Sequence, residues 1–546
     1  FSAWLHLASL ACCDPDKIST VMNGFLVGRS LRFGGDRDNL ISKTNKPFSA
    51  AHASFLESQI RKDQAKSLLI KISDSVEGKL GQTCNPLSRS SSAPIFVNEK
   101  RSNGKYRQIH DPTATHINKH IPKRSMKSTS IDKAASIAKS LGKGTLMVKL
   151  DVCSAYNVNK ISPFDLILML FFWAGCFWLK LTQQWGFRPA GFAWYDTMEL
   201  FTSILVRMLS IFLVFYVDDI LIFIPPLESG EYDWERAWFV ASGVHQIATA
   251  LDIRLAKWEI GHRLEFLGVI IDTNTQALRI PRNKLVIIRS DLVRWLTVRQ
   301  GTIKQWASLV GTIQWSAYVL LPVRRLLQPL LVFLRTRLTA SGQSYLVIVR
   351  VGVSIALALQ HILDKIDACL ANPTLGWFPL CFPPNPHVIW SDASGTAGGG
   401  VIFGVGWFRH VWSTIVLANT ISEKGFIMMP SLEGAALSIA AETLAAHPSF
   451  DPTRGLVVGI DNTSFISAAL KGRSNSPYLH AALTVVFDLF PIVKFYHLNS
   501  DSNPADYPSR YPSSPSQVIV VSTSGLSLTQ VTPSCNRTNK YLATSW

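Results

Sequence analysis

The sequence is short of charge, of patterned cysteines and of hydrophobic runs long enough to span a membrane. Of its 546 residues 17% are charged and 47% hydrophobic, a balance that lets cores form and excludes long disorder. Eight cysteines, at 12, 13, 84, 153, 176, 369, 381 and 535, include no CxxC pair. Neither a zinc ribbon nor a disulfide framework is therefore indicated, and a reducing intracellular compartment fits. The apolar run from Leu166 to Leu179 stops at 14 residues, and the one from Ile211 to Leu227 carries Asp218 and Asp219 at its centre. A charge there costs about 2.5–3.5 kcal/mol in a bilayer, so buried strands are expected and a membrane span is not. Gly142-Lys143-Gly144-Thr145 lacks the earlier glycine of a phosphate-binding loop, and no GxSxG marks a serine hydrolase. No basic leader with an apolar segment opens the chain, whose first residue is Phe1, and the sequence reads as a segment of a longer product.

The charge that is present is uneven. Lys and Arg total 54 against 37 Asp and Glu, a net +17. Residues 1–150 carry +13, residues 151–276 carry −6, residues 277–371 carry +10 and residues 372–546 are neutral. Two basic regions flanking an acidic one suit a polyanion held on either side of a site that gathers carboxylates for metal. An unevenly solvated surface is the plainer alternative.

Hydrophobic periodicity places the acids. Residues 93–111 predict a β-hairpin turning at Asn103-Gly104, and Leu146–Leu150 predicts a strand ending at Asp151. Ile211–Val217 and Ile220–Ile224 predict two buried strands joined at Asp218-Asp219, Leu264–Ile271 one more strand, and residues 283–370 a run of helices. Ionised carboxylates at the ends of buried strands need a cation or donors. Asp151, Asp218 and Asp219 together are a natural site for two Mg²⁺ ions serving a 3′-hydroxyl and a leaving pyrophosphate. Taken alone, an Asp-Asp pair is equally well explained as turn chemistry.

The surrounding strings decide between these. Phe215-Tyr216-Val217-Asp218-Asp219-Ile220-Leu221-Ile222 resembles the catalytic hairpin of reverse transcriptases, and Leu150-Asp151-Val152-Cys153-Ser154-Ala155-Tyr156 resembles their first metal-binding motif. Gln184 to Phe192, containing Gly186, is similar to the motif that packs against template and incoming nucleotide. Lys257 and Glu265-Phe266-Leu267-Gly268 resemble the later lysine and primer-grip motifs, and Lys100 and Arg107 stand on a hairpin similar to the one with which that family contacts the triphosphate. The resemblance implies that Tyr156 excludes a 2′-hydroxyl, that Lys100 and Arg107 pair with phosphates, and that Lys257 protonates pyrophosphate or supplies positive field. Where relatives have Ala-Pro this chain has Ala190-Gly191, which frees backbone that proline would fix. A catalytically decayed, nucleic-acid-binding remnant is the alternative reading.

After a Pro-rich linker, Phe378 to Pro386, four further strings centre on Asp392, Glu433, Asp461 and Asp506 and resemble the acidic motifs of a ribonuclease H domain. His497 precedes Asp506 in a pattern also seen in that family, although a lone histidine is more often structural. Finer strings, including Met22-Asn23-Gly24-Phe25 and Asp461-Asn462-Thr463, are most similar to retrotransposons of the tyrosine-recombinase (DIRS) type, and next to long-terminal-repeat elements.

The resemblance implies an α/β (α+β) chain: an N-terminal extension (1–85), right-hand polymerase fingers and palm (86–275), thumb (276–345), connection (346–386), a mixed-sheet ribonuclease H-like domain (387–510) and a Ser/Thr/Pro-rich tail (511–546). It implies two Mg²⁺ per active site, with Mn²⁺ as a substitute. Its partners would be an RNA template, a DNA or RNA primer, RNA/DNA hybrid and dNTPs. It would act without a membrane, in cytoplasm or nucleus.

Overall fold

In the computed structural model, residues 1–72, 91–99, 104–126, 128–153, 155–372, 376–421, 428–472, 474 and 476–511 are described. Lys100, the tip of the predicted hairpin and the tail beyond residue 511 lie outside them. The chain mixes helices and strands throughout and forms two compact units, Phe1–Leu267 with Ile271–Gln276, and Gly268–Ile270 with the residues from Ala277 onward. Among the described residues no helix is long and apolar enough to cross a membrane.

The first unit is built on an antiparallel four-stranded sheet, ordered Phe212–Tyr216, Asp219–Ile224, Leu146–Val152, Leu255–Gly261. Alternation sends Leu146, Val148, Leu150 and Val152 to one face, with Ile220, Ile222 and Ile224 beside them. Two helices cover that face. Arg188–Leu209 contributes Trp194, Met198, Phe201, Ile204 and Leu205, and Trp234–Ala250 contributes Ala237, Val240, Val244 and Ile247. Pro189 occupies the first turn of the former helix, where a missing N–H costs nothing, and Gly191 lies within it; the backbone freedom expected at Ala190-Gly191 is not used.

The opening residues join this same core. Helices Ser2–Leu10 and Pro15–Val27 form a pair, the second capped by the Asp14 side chain accepting from the Asp16 N–H. Trp4 packs against Phe25 and Phe201, and its indole N–H donates to the Leu251 carbonyl at 3.0 Å. The predicted hairpin forms between Ile95–Glu99 and Tyr106–His110. The apolar run from Leu166 becomes a second hairpin, Leu170–Trp173 with Cys176–Lys180.

Three sequence expectations change. Phe212–Tyr216 is an edge strand and only partly buried, with Phe212 51% and Tyr216 41% exposed, because it has a neighbour on one side only. The strand expected over Leu264–Ile271 is split into Arg263–Phe266 and Val269–Asp272, because Leu267 and Gly268 both adopt positive φ. The helical run from residue 283 is interrupted by a small pair of strands, Gln300–Thr302 with Ile348–Arg350. Thr302 then starts the next helix, Ile303–Ser316, through a capping box with Gln305.

The second unit ends in a five-stranded mixed sheet, ordered Gly406–Val411, Ala397–Ile402, His387–Ala393, Leu456–Ile460, Val493–His497. The first three pair antiparallel, and the last two continue in parallel from His387–Ala393. Helix Met429–Ala445 is buried from Ser431 to Leu444, as expected of an Ala-rich helix with no polar face. The run of glycines in Ala397–Ile402 has a packing reason. A Cβ at Gly399 would fall 2.5 Å from the Ser509 nitrogen and 2.6 Å from the Ala505 oxygen, so only glycine lets the segment 505–509 lie against the strand. Gly399→Ala should therefore destabilise this unit by about 1–3 kcal/mol in urea denaturation. Gly311→Ala, in a helix with open space around it, should stabilise the same unit by about 0.5–1 kcal/mol.

Candidate functional site

Two carboxylate centres form, one in each unit. In the first, the antiparallel register sets Asp151 directly opposite Asp219, an arrangement of like charges that destabilises a sheet unless a cation compensates. Asp218 stands on the two-residue turn that follows Tyr216. Val217, the other turn residue, has φ +57°, unusual for a β-branched side chain at a position where glycine is common. Two bonds hold the turn: the Trp194 indole donates to the Val217 carbonyl at 2.7 Å, and the Val152 N–H donates to the Asp218 carbonyl at 2.9 Å. Burial pushes the Asp218 carboxyl above its ordinary range, with the charges of Asp151 and Asp219 adding to the effect.

Lys257 supplies the nearest cation. It belongs to the strand Leu255–Gly261, and a register shift opposite Lys149 to Asp151 places one extra residue there. Lys257 adopts φ +54° in this bulge, and its ammonium donates to Asp151 Oδ2 at 2.5 Å. That bond raises the Lys257 ammonium above its ordinary value. Asp151, Asp218 and Asp219 are adjacent, but among the described residues they do not form a cluster tight enough for one ion.

Arg107, Tyr156 and Gly186 meet around Trp185. The Arg107 guanidinium lies over the Trp185 ring at 5.0 Å, and the Tyr156 ring meets it edge-on at 4.7 Å. The Trp185 carbonyl accepts from the His110 N–H at 3.0 Å. Gly186 follows with φ +107°, and a Cβ there would lie 1.8 Å from the His110 oxygen. Asn118 completes the turn, donating to the Gly186 carbonyl and accepting from the Arg188 N–H. Burial raises the Tyr156 phenol, and the charge of Asp218 raises it further. The aromatic therefore stands close enough to the acids to feel them. Trp185 and Asn118 carry no role in the sequence reading; only the position of Trp185 beside Gly186 could have marked it.

The second centre is more compact. Asp392 lies on the strand His387–Ala393 and Asp461 directly follows its parallel neighbour, Leu456–Ile460, so the two carboxylates emerge side by side. Glu433 reaches them from helix Met429–Ala445. One carboxylate oxygen from each lies within 4.8 Å of the others. Asp392 and Glu433 are each 3% exposed, and Glu433 Oε2 is buried with no hydrogen-bond partner among the described residues. A buried oxygen without a donor, on a carboxylate grouped with two others, fits a divalent cation. Asp506 is not one of the three within 4.8 Å, but its charge adds to the upward shift of both Asp392 and Glu433. It opens the short helix Asp506–Arg510 and pairs with Arg510 at 2.6 Å, because that partner lies one helical turn away. His497 bonds the backbone oxygen of Asp461 at 3.0 Å. Two serines to which the sequence gives no role also bond the acids: Ser500 donates to Asp461 Oδ2 at 2.7 Å and Ser509 donates to Asp392 Oδ2.

Neither a family sequence model nor a curated protein sequence matches the chain. Among solved structures it is similar to a foamy viral protease-reverse transcriptase in complex with double-stranded DNA, at 14% identity over 91% of this chain and 81% of that one, TM-score 0.49. A foamy viral protease-reverse transcriptase in complex with RNA/DNA hybrid is similar at 14% identity, over 91% of this chain and 62% of that one, TM-score 0.46.

Burial, followed by the charges of Asp392 and Asp461, pushes Glu433 up to about 9; burial pushes Asp392 up to about 6, against the pull of the Ser509 hydroxyl. A free glutamate titrates near ~4.3, so between that pH and the raised values the folded chain holds more protons than the unfolded one, and stability falls as pH rises. Without divalent cations, the thermal unfolding midpoint should drop from about pH 5 to about pH 9, and Glu433→Gln should flatten the curve. A midpoint that climbs over this range would exclude the burial account.

Proposed function

We propose that the chain is an RNA-directed DNA polymerase joined to an RNA/DNA-hybrid ribonuclease, from a retroelement of the tyrosine-recombinase or long-terminal-repeat type. The observation that carries this reading is the Asp392–Glu433–Asp461 cluster with its buried Glu433 oxygen, unpartnered among the described residues, following in one chain a sheet whose register sets Asp151 against Asp219. Asp151, Asp218 and Asp219 would hold divalent ions for nucleotidyl transfer, and Asp392, Glu433 and Asp461, joined by Asp506, would hold them for hydrolysis. The ions would be Mg²⁺, two per site, with Mn²⁺ as a substitute, and in the first unit the three acids would have to draw closer together to hold them. What such ions supply when bound is Lewis acidity toward phosphate oxygens.

The remaining roles belong to the protein. Arg107, steadied over Trp185, would pair with the triphosphate of an incoming dNTP, and Lys100 would assist it. Tyr156, steadied by the same ring, would fill the space a 2′-hydroxyl needs. Lys257 would stay near Asp151 as a mobile positive charge or proton donor for pyrophosphate. The basic segments 1–150 and 277–371 would hold template, primer and hybrid by their phosphates, and the protein would act inside the cell, in cytoplasm or nucleus. The Lys257–Asp151 pair also favours a second reading, a binding remnant in which lysine has replaced metal as the counter-ion.

Primer extension on an RNA template with dNTPs and Mg²⁺ separates the two. Extension by the wild type should fall by about 10²- to 10³-fold in Asp218→Asn, the loss of several kcal/mol of charge stabilisation, with hybrid cleavage spared. Asp461→Asn should do the reverse. Salt-sensitive hybrid binding with no turnover in either assay would sink the enzyme and leave the remnant.

A further inference from the structure

We infer that Ser509 is a positioning residue for the nuclease-like centre: its hydroxyl fixes the Asp392 carboxylate and makes divalent-ion binding there depend on docking of the helix Asp506–Arg510. The inference rests on reading Asp392, Glu433 and Asp461 as ion ligands, and concerns a residue that is neither an acid nor charged.

Ser509 is fully buried, although serine is usually found at the surface. Its surroundings hold it from several sides. Arg409, from strand Gly406–Val411, donates to the Ser509 carbonyl at 2.7 Å and to the Pro508 carbonyl at 2.8 Å. Ser394, just past the strand that bears Asp392, donates to the same Ser509 carbonyl at 2.8 Å. The bare Cα of Gly399 lets the Ser509 nitrogen approach the sheet. Nearby, Asn503 donates to the Ser391 carbonyl at 2.9 Å, tying the approach to the helix to the residue before Asp392.

What this clamp presents to the centre is one hydroxyl. A serine hydroxyl has a single proton, and two acceptors lie within reach, Asp392 Oδ2 and the Asp506 carbonyl at 2.8 Å. The ionised carboxylate is the stronger acceptor, so the proton goes to Asp392. A purely structural serine would be satisfied by the carbonyl of its own helix. The last torsion of an aspartate is soft, so a carboxylate without such a donor turns freely. Bonding one oxygen holds the other in a fixed direction, which is how outer partners raise the affinity of a metal site.

The test is Mn²⁺ titration calorimetry on the full chain carrying Asp218→Asn, which weakens the first unit's centre. Ser509→Ala should weaken binding by about 10- to 100-fold, and Ser509→Thr, which keeps the hydroxyl, should restore most of it. Ser394→Ala removes one bond to the Ser509 carbonyl but leaves both Arg409 bonds and the Ser509 hydroxyl in place, so the helix stays docked and binding should stay near the parent. Hybrid cleavage should require correspondingly more Mn²⁺ in Ser509→Ala while kcat at saturating ion recovers. Unchanged binding in Ser509→Ala, or an equal loss in Ser394→Ala, overturns the inference. A parent that binds no Mn²⁺ overturns the reading of the three acids as ligands, a result distinct from either.

Discussion

A carboxylate withdrawn from water must find positive charge, donors or a proton, and both units are organised around that requirement. The two centres meet it differently. In the first unit the acids sit at the rim of a sheet, and a lysine on a bulged strand reaches across to Asp151. In the second, Glu433 is buried on its helix with an oxygen that nothing among the described residues satisfies, and its proton affinity rises accordingly. The first centre carries its own counter-ion. The second is left dependent on something from solution.

Much of the backbone around these centres follows from keeping the acids where they are. Val217 holds an unfavourable φ because Trp194 and Val152 tie the turn that carries Asp218. Gly186 and Gly399 each sit where a side chain would collide with backbone, the former beside the His110 carbonyl and the latter beneath the segment bearing Asp506 and Ser509. In both cases the cost of a flexible residue is offset by close approach of two chain segments.

The acids and their strands were legible because periodicity and turn chemistry are local. A strand ending at Asp151, a hairpin at Asp218-Asp219 and a strand ending just before Asp461 each follow from a few neighbouring residues. What escaped depends on pairing between distant segments. Lys257 meets Asp151 through a bulge that only the partner strand reveals, and the 51% exposure of Phe212 follows from edge position, not from its own apolar run. The pairing of Asp506 with Arg510, one helical turn away, likewise appears only once the short helix is formed. Ser500 and Ser509 are ordinary letters in the sequence, and only the fold puts their hydroxyls on carboxylates.

Trp4 has a consequence for how the chain is made. Its indole bonds the carbonyl of Leu251, 247 residues further along, while its ring packs on Phe201. During synthesis the first helices must wait for most of the first unit to be translated before their apolar side is covered. Contacts of such long sequence separation fold slowly, and at about 5–20 residues per second the wait is on the order of ten seconds or more. Over that interval the apolar side of these two helices stays uncovered.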